Sequence, residues 1–316
     1  MMMNDVFNLK KLEPMLISEQ QRPFNDPNYF YELKFDGIRS LLYSDADGVE
    51  IRNKRNKSLT YIMPELTEVY KQIKGKAILD GELIVIKDSK PDFYEMQKRA
   101  LMNNYSKIQL ISQLYPITFI AYDILYLDGK ELIDLPLTQR KKKLQQVLKE
   151  NPRIAISKVI EEKGIELFEI TKQQGLEGVI AKKKQSKYFY GKRTKEWIKF
   201  KNMIDDDYVV LGYIPKQHNN TSLIIGQYDN NELVYIGHVT FWNLKKLFEY
   251  PIVKIEQPYL KEIPKGNEEA IWLEPNLVCI VEYMYHQDNR LRQPVFKAFR
   301  DDKDPKECIV KAKFRR

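Results

Sequence analysis

The stretch Tyr31-Glu32-Leu33-Lys34-Phe35-Asp36-Gly37-Ile38-Arg39 places one lysine at the end of an alternating apolar strand, directly before an Asp-Gly turn. A lysine side chain in water is protonated, with a pKa of about 10.4. A turn that presents it inside a cleft can lower this value and make the amine a nucleophile. The same residues also fit a hairpin tip with a solvated lysine, because Asp-Gly favours hairpin turns. Segments farther along the chain have to decide between the two interpretations.

The composition is that of a globular protein that suits a polyanionic partner. The chain has 316 residues, enough for two domains of roughly 100–200 residues each. Hydrophobic residues make up 43%, charged residues 30%, and the net charge is +8, which favours binding to a polyanion. Cys279 and Cys308 are the only cysteines, and no Cys/His set has the spacing of a zinc site. We therefore expect neither a disulfide scaffold nor structural zinc.

The chain shows no sequence signal for a membrane. No run of 18 apolar residues occurs, and the segment from Met1 to Pro14 lacks the apolar region of a signal peptide. A spanning helix and a secretory leader would each require such a run. We therefore expect a cytoplasmic protein without a membrane partner.

In the first two thirds of the chain, strand-like runs are interleaved with helical ones. Apolar runs and alternation predict strands at Tyr29–Phe35, Ile38–Tyr43, Val49–Arg52, Lys76–Ile86 and Ile117–Leu127. Helical spacing predicts helices at Pro64–Ile73, Phe93–Met102, Thr138–Lys149 and Ile165–Gln174. Thr138 is the expected N-cap of its helix, and Gly175 fits a left-handed C-terminal cap. Because no regular βαβ rhythm is present, we predict an α+β domain.

The acidic run Asp205-Asp206-Asp207 interrupts this pattern, and short strands follow it. They are predicted at Tyr208–Ile214, Ser222–Tyr228, Leu233–Val239 and Val278–Tyr285, with a helix at Phe241–Phe248. Turn sequences such as Asn219-Asn220 and Asp229-Asn230-Asn231 separate the strands. A small β-barrel of about five strands fits this arrangement. We place the boundary at 203–205, which gives a first domain of residues 1–203 and a second of residues 204–316.

Several charged and aromatic residues farther along could serve a nucleophilic lysine. Leu79-Asp80-Gly81-Glu82 and Glu177-Gly178-Val179-Ile180-Ala181-Lys182 each offer a carboxylate, and such a pair suits a divalent metal. Tyr122 could stack on a planar base. In Trp197-Ile198-Lys199-Phe200-Lys201, alternation puts the tryptophan and both lysines on one strand face, where two ammonium groups could bind a phosphate. Arg300-Asp301-Asp302-Lys303 adds a mixed-charge cluster.

Each of these segments also has an ordinary structural interpretation. Glu82 and Glu177 could be exposed carboxylates at turns, and Tyr122 could belong to the core. Lys199 and Lys201 could form the solvated face of an edge strand, where lysines are common. Taken together, the segments describe a nucleotidyl-transfer site with a nucleophilic lysine, two metal-binding carboxylates, a base-stacking aromatic side chain and several phosphate-binding cations.

Six segments occur in a fixed order along nearly the whole chain, and together they resemble the motif series of ATP-dependent DNA ligases. They are Lys34-Phe35-Asp36-Gly37-Ile38-Arg39, Leu79-Asp80-Gly81-Glu82, Tyr122-Asp123-Ile124-Leu125, Glu177-Gly178-Val179-Ile180-Ala181-Lys182, Trp197-Ile198-Lys199-Phe200-Lys201 and Arg300-Asp301-Asp302-Lys303. Secondary matches are Ser186-x-Tyr188-x-x-Gly191-x-Arg193 and Arg292-x-Pro294-x-Phe296. The chain is most similar to compact two-domain bacterial ligases, including the ligase modules of end-joining enzymes. The family implies a nucleotidyltransferase domain of the ATP-grasp-like ligase type, followed by a C-terminal OB-fold β-barrel.

The resemblance implies that Lys34 attacks the α-phosphate of ATP and forms a lysyl-AMP phosphoramidate. AMP then passes to the 5′-phosphate at a DNA nick, and the 3′-hydroxyl displaces it to seal the strand. It also implies nicked duplex DNA as substrate, roles in repair, recombination or end joining, and a monomeric enzyme. The motifs leave open whether a recruiting repair protein contributes to DNA binding.

The same resemblance assigns roles to further residues. Expected nucleotide contacts are Glu32 for the adenine amino group, Tyr122 for the ring, Arg39 and Glu82 for the ribose region, Lys182, Lys199 and Lys201 for the α-phosphate, and Arg300 and Lys303 for the departing pyrophosphate. Glu82 and Glu177 are the expected ligands of Mg²⁺, with Mn²⁺ as the alternative. Arg52, Lys54 and Arg193 are the expected DNA contacts.

Other enzymes that share the lysine motif are the rival interpretations. NAD-dependent ligases carry a nicotinamide-recognition domain and a four-cysteine zinc module, neither of which fits this sequence. A GTP-using RNA capping nucleotidyltransferase is closer, although Arg300–Lys303 and the pair Trp197/Lys199 favour a ligase. The motifs do not separate a DNA ligase from an RNA ligase. An OB-fold nucleic-acid-binding module with a decayed transferase domain is the non-enzymatic alternative.

Overall fold

The computed structural model describes residues 5–19, 22–217, 220–284 and 291–310. The chain folds into two compact units, Met1–Asn202 and Met203–Arg316. Within the described ranges, no helix combines the length and apolar character needed to cross a membrane. Asn219 of one predicted turn and Tyr285 at the end of one predicted strand lie outside these ranges.

The first unit combines helices with two sheets. Its helices are α1 (Val6–Leu9), α2 (Phe93–Ala100), α3 (Tyr105–Leu114), α4 (Leu137–Val147) and α5 (Gly164–Gln173). Its strands are β1 (Leu16–Glu19), β2 (Tyr29–Leu33), β3 (Ile38–Asp45), β4 (Gly48–Asn53), β5 (Ala77–Lys87), β6 (Lys90–Pro91), β7 (Ile117–Leu127), β8 (Lys130–Glu131), β9 (Ile154–Ile156), β10 (Ile160–Glu161), β11 (Gly178–Lys183) and β12 (Arg193–Lys201). The mixture confirms the α+β prediction.

The lysine segment is a crossing between the two sheets. One sheet has the order β1-β12-β11-β2-β10, and the other has the order β4-β3-β5-β7-β8, with β6 on β5 and β9 on β7. Strand β2 therefore belongs to the first sheet and β3 to the second. The hairpin interpretation of Lys34–Gly37 is wrong, because β2 and β3 do not pair. At Gly37 a Cβ atom would lie 2.1 Å from the Leu83 carbonyl oxygen, so the crossing needs a glycine there.

Strands β5 and β7 are long apolar runs because each is buried on both faces. Leu79 and Phe119 belong to one hydrophobic cluster, whereas Ile78 and Tyr122 belong to another. A strand that faces two cores loses the polar alternation of a half-exposed strand. The same burial brings Asp80 of β5 and Asp123 of β7 into the interior, where both carboxylates are fully buried and need counter-ions.

The helix predictions hold with two corrections. Thr138 is not the N-cap, because α4 begins at Leu137 after an extended Pro136. The carbonyl oxygens of Ser186 and Lys184 accept from the first two amides instead. Pro64–Ile73 forms two 3₁₀ turns, Pro64–Leu66 and Val69–Gln72, and no α-helix. Gly175 adopts a left-handed conformation with φ 64°, as predicted.

In its described residues, the second unit is a sheet of five long strands and two short ones. The strands are β13 (Ile204–Pro215), β14 (Thr221–Asp229), β15 (Glu232–Phe241), β16 (Lys254–Ile255), β17 (Ile271–Leu273), β18 (Val278–Met284) and β19 (Arg292–Arg300), with α6 at Leu244–Leu247. Strand β13 pairs with β18 through its first half and with β14 through its second. The helix predicted at Phe241–Phe248 spans only Leu244–Leu247, because Phe241 still belongs to β15.

Two features of this unit differ from the sequence prediction. The acidic run Asp205–Asp207 does not interrupt the structure but lies inside β13, paired with β18. Strand β19 was not predicted, and it contains Pro294, a residue that cannot donate to a strand ladder. Among the described strands, β19 pairs only with β18, and proline is tolerated at such an edge.

We predict that Arg140 on α4 is required for stability. Its guanidinium forms two 2.9 Å bonds to the Asp123 carboxylate, and both side chains are fully buried. Arg140→Met leaves the buried Asp123 carboxylate without its counter-ion and should lower the free energy of unfolding by about 3–5 kcal/mol. Urea denaturation measures this loss. Gln145→Met, on the exposed side of α4, is the control, and the double variant Asp123→Leu/Arg140→Met should recover part of the loss. A stable single variant would contradict the prediction.

Candidate active site

Lys34 is held at the crossing by both its backbone and its side chain. Its amide donates to the Gly178 carbonyl oxygen at 2.9 Å, and its Nζ lies 2.7 Å from Oε1 of Glu177. Gly178 has φ 143°, and a Cβ atom there would lie 2.0 Å from the Phe200 carbonyl oxygen. Only glycine allows β11 to approach β12 this closely beside the lysine. The Lys34 side chain remains 18% exposed, so a substrate can reach the amine.

Glu82 and Glu177 form a pair of carboxylates near Lys34. Burial raises the pKa of Glu82 to about 8, and Glu177 and Asp80 add to the shift, whereas the charges of Lys34 and Arg39 oppose it. Oε2 of Glu177 is buried without a hydrogen-bond partner in the described part of the chain. Crowded carboxylates with an unpaired oxygen fit a divalent cation. No described group of three or more His, Cys, Asp or Glu side chains could hold a metal, so a cation here would keep water ligands.

Arg39 is fixed by a polar cluster that the sequence did not reveal. Its Nε and Nη2 donate to the Asp80 carboxylate at 3.1 and 2.7 Å, and its Nη1 donates to the Met15 carbonyl oxygen at 2.6 Å. The Tyr188 hydroxyl donates to Asp80 at 2.7 Å. Asp80 stands two residues before Glu82, whose partner in the β3–β5 register is Arg39 itself. A prediction of how β3 pairs with β5 would have placed Asp80 close to Arg39.

Tyr122 and Trp197 form an aromatic wall that belongs to a buried cluster, with exposed fractions of 7% and 0%. Their rings lie 6.2 Å apart in an edge-to-face arrangement. The Lys182 ammonium lies 4.2 Å from the Tyr122 centroid and 4.3 Å from the Trp197 centroid. The same ammonium lies 3.1 Å from Oε2 of Glu32. Lys182 therefore contacts the residue predicted to meet the adenine amino group.

Glu32 has a second buried partner, which the sequence analysis missed. Nζ of Lys141, on α4, lies 2.6 Å from Oε1 of Glu32. Burial alone would raise the pKa of Glu32, but Lys141 and Lys182, together with the Ser157 hydroxyl, hold it below its ordinary value. Burial lowers the pKa of Lys182 to about 8. No local pattern in Leu137–Val147 distinguishes Lys141 from its neighbouring lysines.

The two lysines of β12 share one carboxylate. Nζ of Lys199 and Nζ of Lys201 each lie 3.1 Å from an oxygen of Glu19, at the end of β1. Burial opposes ionisation of Glu19, but the two ammonium groups outweigh it and lower the pKa of this carboxyl. A carboxylate thus lies against the side chains predicted to contact the α-phosphate. Strand β1 was not predicted, so Glu19 was missed.

In the second unit, Arg300 and Lys303 converge on Asp207. Nη1 of Arg300 lies 3.1 Å from Oδ2 of Asp207, and Nζ of Lys303 lies 2.5 Å from the same oxygen. Arg300 also forms two hydrogen bonds to Asp302. The acidic run that the sequence suggested as a boundary therefore supplies the counter-ion for both predicted pyrophosphate contacts.

The predicted DNA contacts lie on partly or fully exposed segments of the first unit. Arg52 donates to Glu50 at 2.6 Å and to the Asn56 carbonyl oxygen at 2.9 Å. Lys54 is exposed in the turn that follows β4. Arg193, also exposed, donates to the Ile17 carbonyl oxygen. Their role in DNA binding stays a prediction.

Two protein-family models match this chain. The model described as ATP dependent DNA ligase domain matches residues 14–201, and the model described as ATP dependent DNA ligase C terminal region matches residues 216–303. Together they cover most of the sequence. The chain belongs to the ATP-dependent DNA ligase family. The predicted family is therefore confirmed.

Curated relatives show the same similarity. The SPbeta prophage-derived DNA ligase-like protein LigB of Bacillus subtilis is 26% identical over 291 residues, which cover 92% of this chain and 99% of that protein. A DNA ligase of Thermococcus fumicolans is 30% identical over 300 residues, which cover 88% of this chain but 53% of that protein. The chain thus spans nearly all of one relative and about half of the other.

Solved structures extend the comparison to the fold. The ligase domain of LigD from M. tuberculosis has a TM-score of 0.55 and 25% identity, covering 96% of this chain and 99% of that one. A Lig E DNA ligase has a TM-score of 0.63 at 18% identity, covering 91% and 99%, and shows the fold alone. A nucleotidyltransferase domain followed by an OB-fold domain, as predicted, is confirmed.

We predict a pH-dependent stability difference between wild type and Glu82→Gln. Because the folded-state pKa of about 8 lies above the ordinary value of 4.5, the favourable contribution of Glu82 is complete below pH 4.5. It disappears as the pH rises through 8. Glutamine stays neutral, so the variant should be more stable than wild type at pH 8.5, by a margin that vanishes toward pH 4.5.

Denaturant unfolding with a chelator present, at pH 5, 7 and 8.5, measures this difference. Glu68→Gln is the control, because Glu68 is exposed and forms an i,i+3 pair with Lys71. A constant difference between wild type and Glu82→Gln over this pH range would show that Glu82 is not perturbed.

Proposed function

We propose that this ligase seals 5′-phosphate/3′-hydroxyl nicks in duplex DNA through lysyl-AMP formed on Lys34. The observation that carries the proposal is the position of Lys34, fixed at the crossing of two sheets, 2.7 Å from Glu177 and still open to substrate. We assign AMP transfer to residues 1–203 and the OB fold to residues 204–316. Work in DNA repair, recombination or end joining fits this activity.

The first step is attack by the Lys34 amine on the α-phosphorus of ATP. The amine attacks only as the neutral base, so its proton leaves before the N–P bond forms. The bond to the bridging oxygen then breaks, and pyrophosphate leaves. Glu177 holds the amine in place before the nucleotide binds. Lys199 and Lys201, as compact cations, neutralise the charge that grows on the α-phosphate.

We assign the nucleotide base to the wall formed by Tyr122 and Trp197. Glu32 accepts from the adenine amino group there, and Arg39, held by Asp80, borders the ribose. Because Lys182 forms its ion pair with Glu32, we assign it to the base rather than to the α-phosphate.

The carboxylate pair is our proposed metal site. Glu82 and Glu177 would hold Mg²⁺, with Mn²⁺ as the alternative, and the buried unpaired Oε2 of Glu177 supports this assignment. The bound cation supplies positive charge that neutralises phosphate oxygens.

In the second unit, Arg300 and Lys303 leave Asp207 to orient pyrophosphate. Arg52, Lys54 and Arg193 contact the phosphates of nicked DNA. Salt weakens such contacts, so the affinity for DNA should fall as the salt concentration rises.

We predict that Lys34→Arg cannot be adenylylated. A guanidinium keeps the positive charge but does not deprotonate, so it cannot attack phosphorus. Transfer of label from α-labelled ATP to protein, followed on denaturing gels, should fall to background. Sealing of a pre-adenylylated nick bypasses the first step and tests whether the variant still binds DNA. Label on the Lys34→Arg protein would contradict the proposed nucleophile.

We predict that Glu19 competes with the α-phosphate for Lys199 and Lys201. Glu19→Gln removes the competing charge and should lower the KM for ATP about two- to fivefold, the range expected for partly exposed ion pairs. The rate at saturating ATP should not change. Lysyl-AMP formation over an ATP titration measures both quantities.

The control is Glu196→Gln. Glu196 lies on β12 and pairs with Lys183 at 3.9 Å, away from the two predicted phosphate contacts. A raised KM in Glu19→Gln would show that Glu19 positions the lysines rather than competing for them.

A further inference from the structure

Glu32 is buried between two ammonium groups that come from different elements. Lys141 reaches Oε1 from α4 at 2.6 Å, and Lys182 reaches Oε2 from β11 at 3.1 Å. The three side chains are at most 7% exposed. Two ammonium groups face one carboxylate, so only one of them is needed to balance its charge. The two lysines therefore need separate explanations.

The surroundings of the two lysines differ. The Lys182 ammonium lies over the Tyr122 and Trp197 rings, on the wall assigned to the base. Lys141 lies on α4 beside Arg140, which anchors the helix to Asp123 and to the Ser186 carbonyl oxygen. A nucleotide base stacking on the rings must rearrange Lys182. Lys141 can remain where it is, because its helix is fixed by buried bonds.

The protonation state of Glu32 decides which base it can bind. An ionised carboxylate only accepts hydrogen bonds, whereas a protonated one can also donate. Adenine presents an amino donor at the position where guanine presents the O6 acceptor. An ionised Glu32 therefore pairs with adenine and repels guanine, and a protonated Glu32 could donate to guanine O6. Burial would protonate this carboxyl if its charge partners were lost.

We propose that Lys141 is a specificity-determining positioning residue, which holds the Glu32 carboxylate as an acceptor for adenine and against guanine. Lys141 stays paired with the Glu32 carboxylate, so the carboxylate keeps its charge when the base displaces Lys182. The inference rests on the proposed function, in which Glu32 meets the adenine amino group. It adds a residue that touches no substrate and yet decides between ATP and GTP.

The test compares nucleotide choice in the full-length protein. Lys141→Met and Lys141→Gln both remove the charge, and glutamine keeps a hydrogen-bond donor. Lysyl-nucleotide formation is measured at pH 7 with α-labelled ATP and α-labelled GTP, and kcat/KM is compared. Both variants should lower the ATP:GTP ratio at least about tenfold, the scale expected when a buried carboxylate loses one of its two ion-pair partners. Lys141→Arg should keep the ratio near wild type.

Matched variants separate this inference from a loss of folding. Lys142→Met changes an exposed neighbour on the same helix and should leave the ratio unchanged. Equal losses for ATP and GTP in Lys141→Met and Lys141→Gln would show a purely structural role and overturn the inference. Rising pH should restore the ratio in both variants as Glu32 ionises, and a flat response would also overturn it.

Glu32→Gln tests the underlying proposal by itself. Glutamine can turn either its amide donor or its acceptor toward the base, so this variant should lose discrimination. If Glu32→Gln keeps the wild-type ratio, the proposed role of Glu32 in base recognition fails. If Glu32→Gln loses discrimination while the Lys141 variants keep it, base recognition by Glu32 stands and only the role of Lys141 fails.

Discussion

The fold of the first unit depends on how the chain crosses from one sheet to the other at Lys34–Gly37. The Lys34 amide binds the Gly178 carbonyl oxygen, its ammonium pairs with Glu177, and Gly37 lies against the Leu83 carbonyl oxygen. These contacts join β11 of one sheet to β5 of the other. A lysine in this position cannot swing freely like one at a hairpin tip. The constraint that packs the sheets also fixes the proposed nucleophile.

Lys34 and two predicted groups of phosphate-binding cations are each matched by a carboxylate from their own unit. Lys34 has Glu177, the lysines of β12 have Glu19, and Arg300 and Lys303 have Asp207. In the proposed mechanism the nucleotide therefore replaces existing ion pairs and does not meet bare cations. Clustered positive charges would repel one another in an empty site. The internal carboxylates remove this repulsion, and a ligand that binds these cations has to displace them.

The sequence was sufficient for what depends on local pattern. Alternation and turn residues located β2, β3 and most of the long strands of the second unit, and Gly175 was placed by its backbone requirement. It was insufficient where the deciding contact comes from elsewhere in the chain. Thr138 is not the N-cap, because the backbone carbonyl oxygens of Ser186 and Lys184 accept from the first amides of α4. The candidate site follows the same rule. Motif spacing selected Lys34 and Glu177, which the structure brings together, but the counter-ions Lys141 and Glu19 depend on long-range packing.

Two glutamates show how one side-chain type takes different tasks in this unit. Glu32 and Glu82 are both withdrawn from water, and burial pushes the pKa of each upward. Lys141 and Lys182 reverse the effect of burial at Glu32. At Glu82 burial prevails, because Glu177 and Asp80 counteract the charges of Lys34 and Arg39. A carboxylate with surplus positive charge is a permanent hydrogen-bond acceptor. One that is buried beside two further carboxylates is costly to ionise, and a bound cation would reduce this cost. The difference in surrounding charge thus separates a group suited to the base from one suited to a metal, although nothing in either glutamate itself distinguishes them.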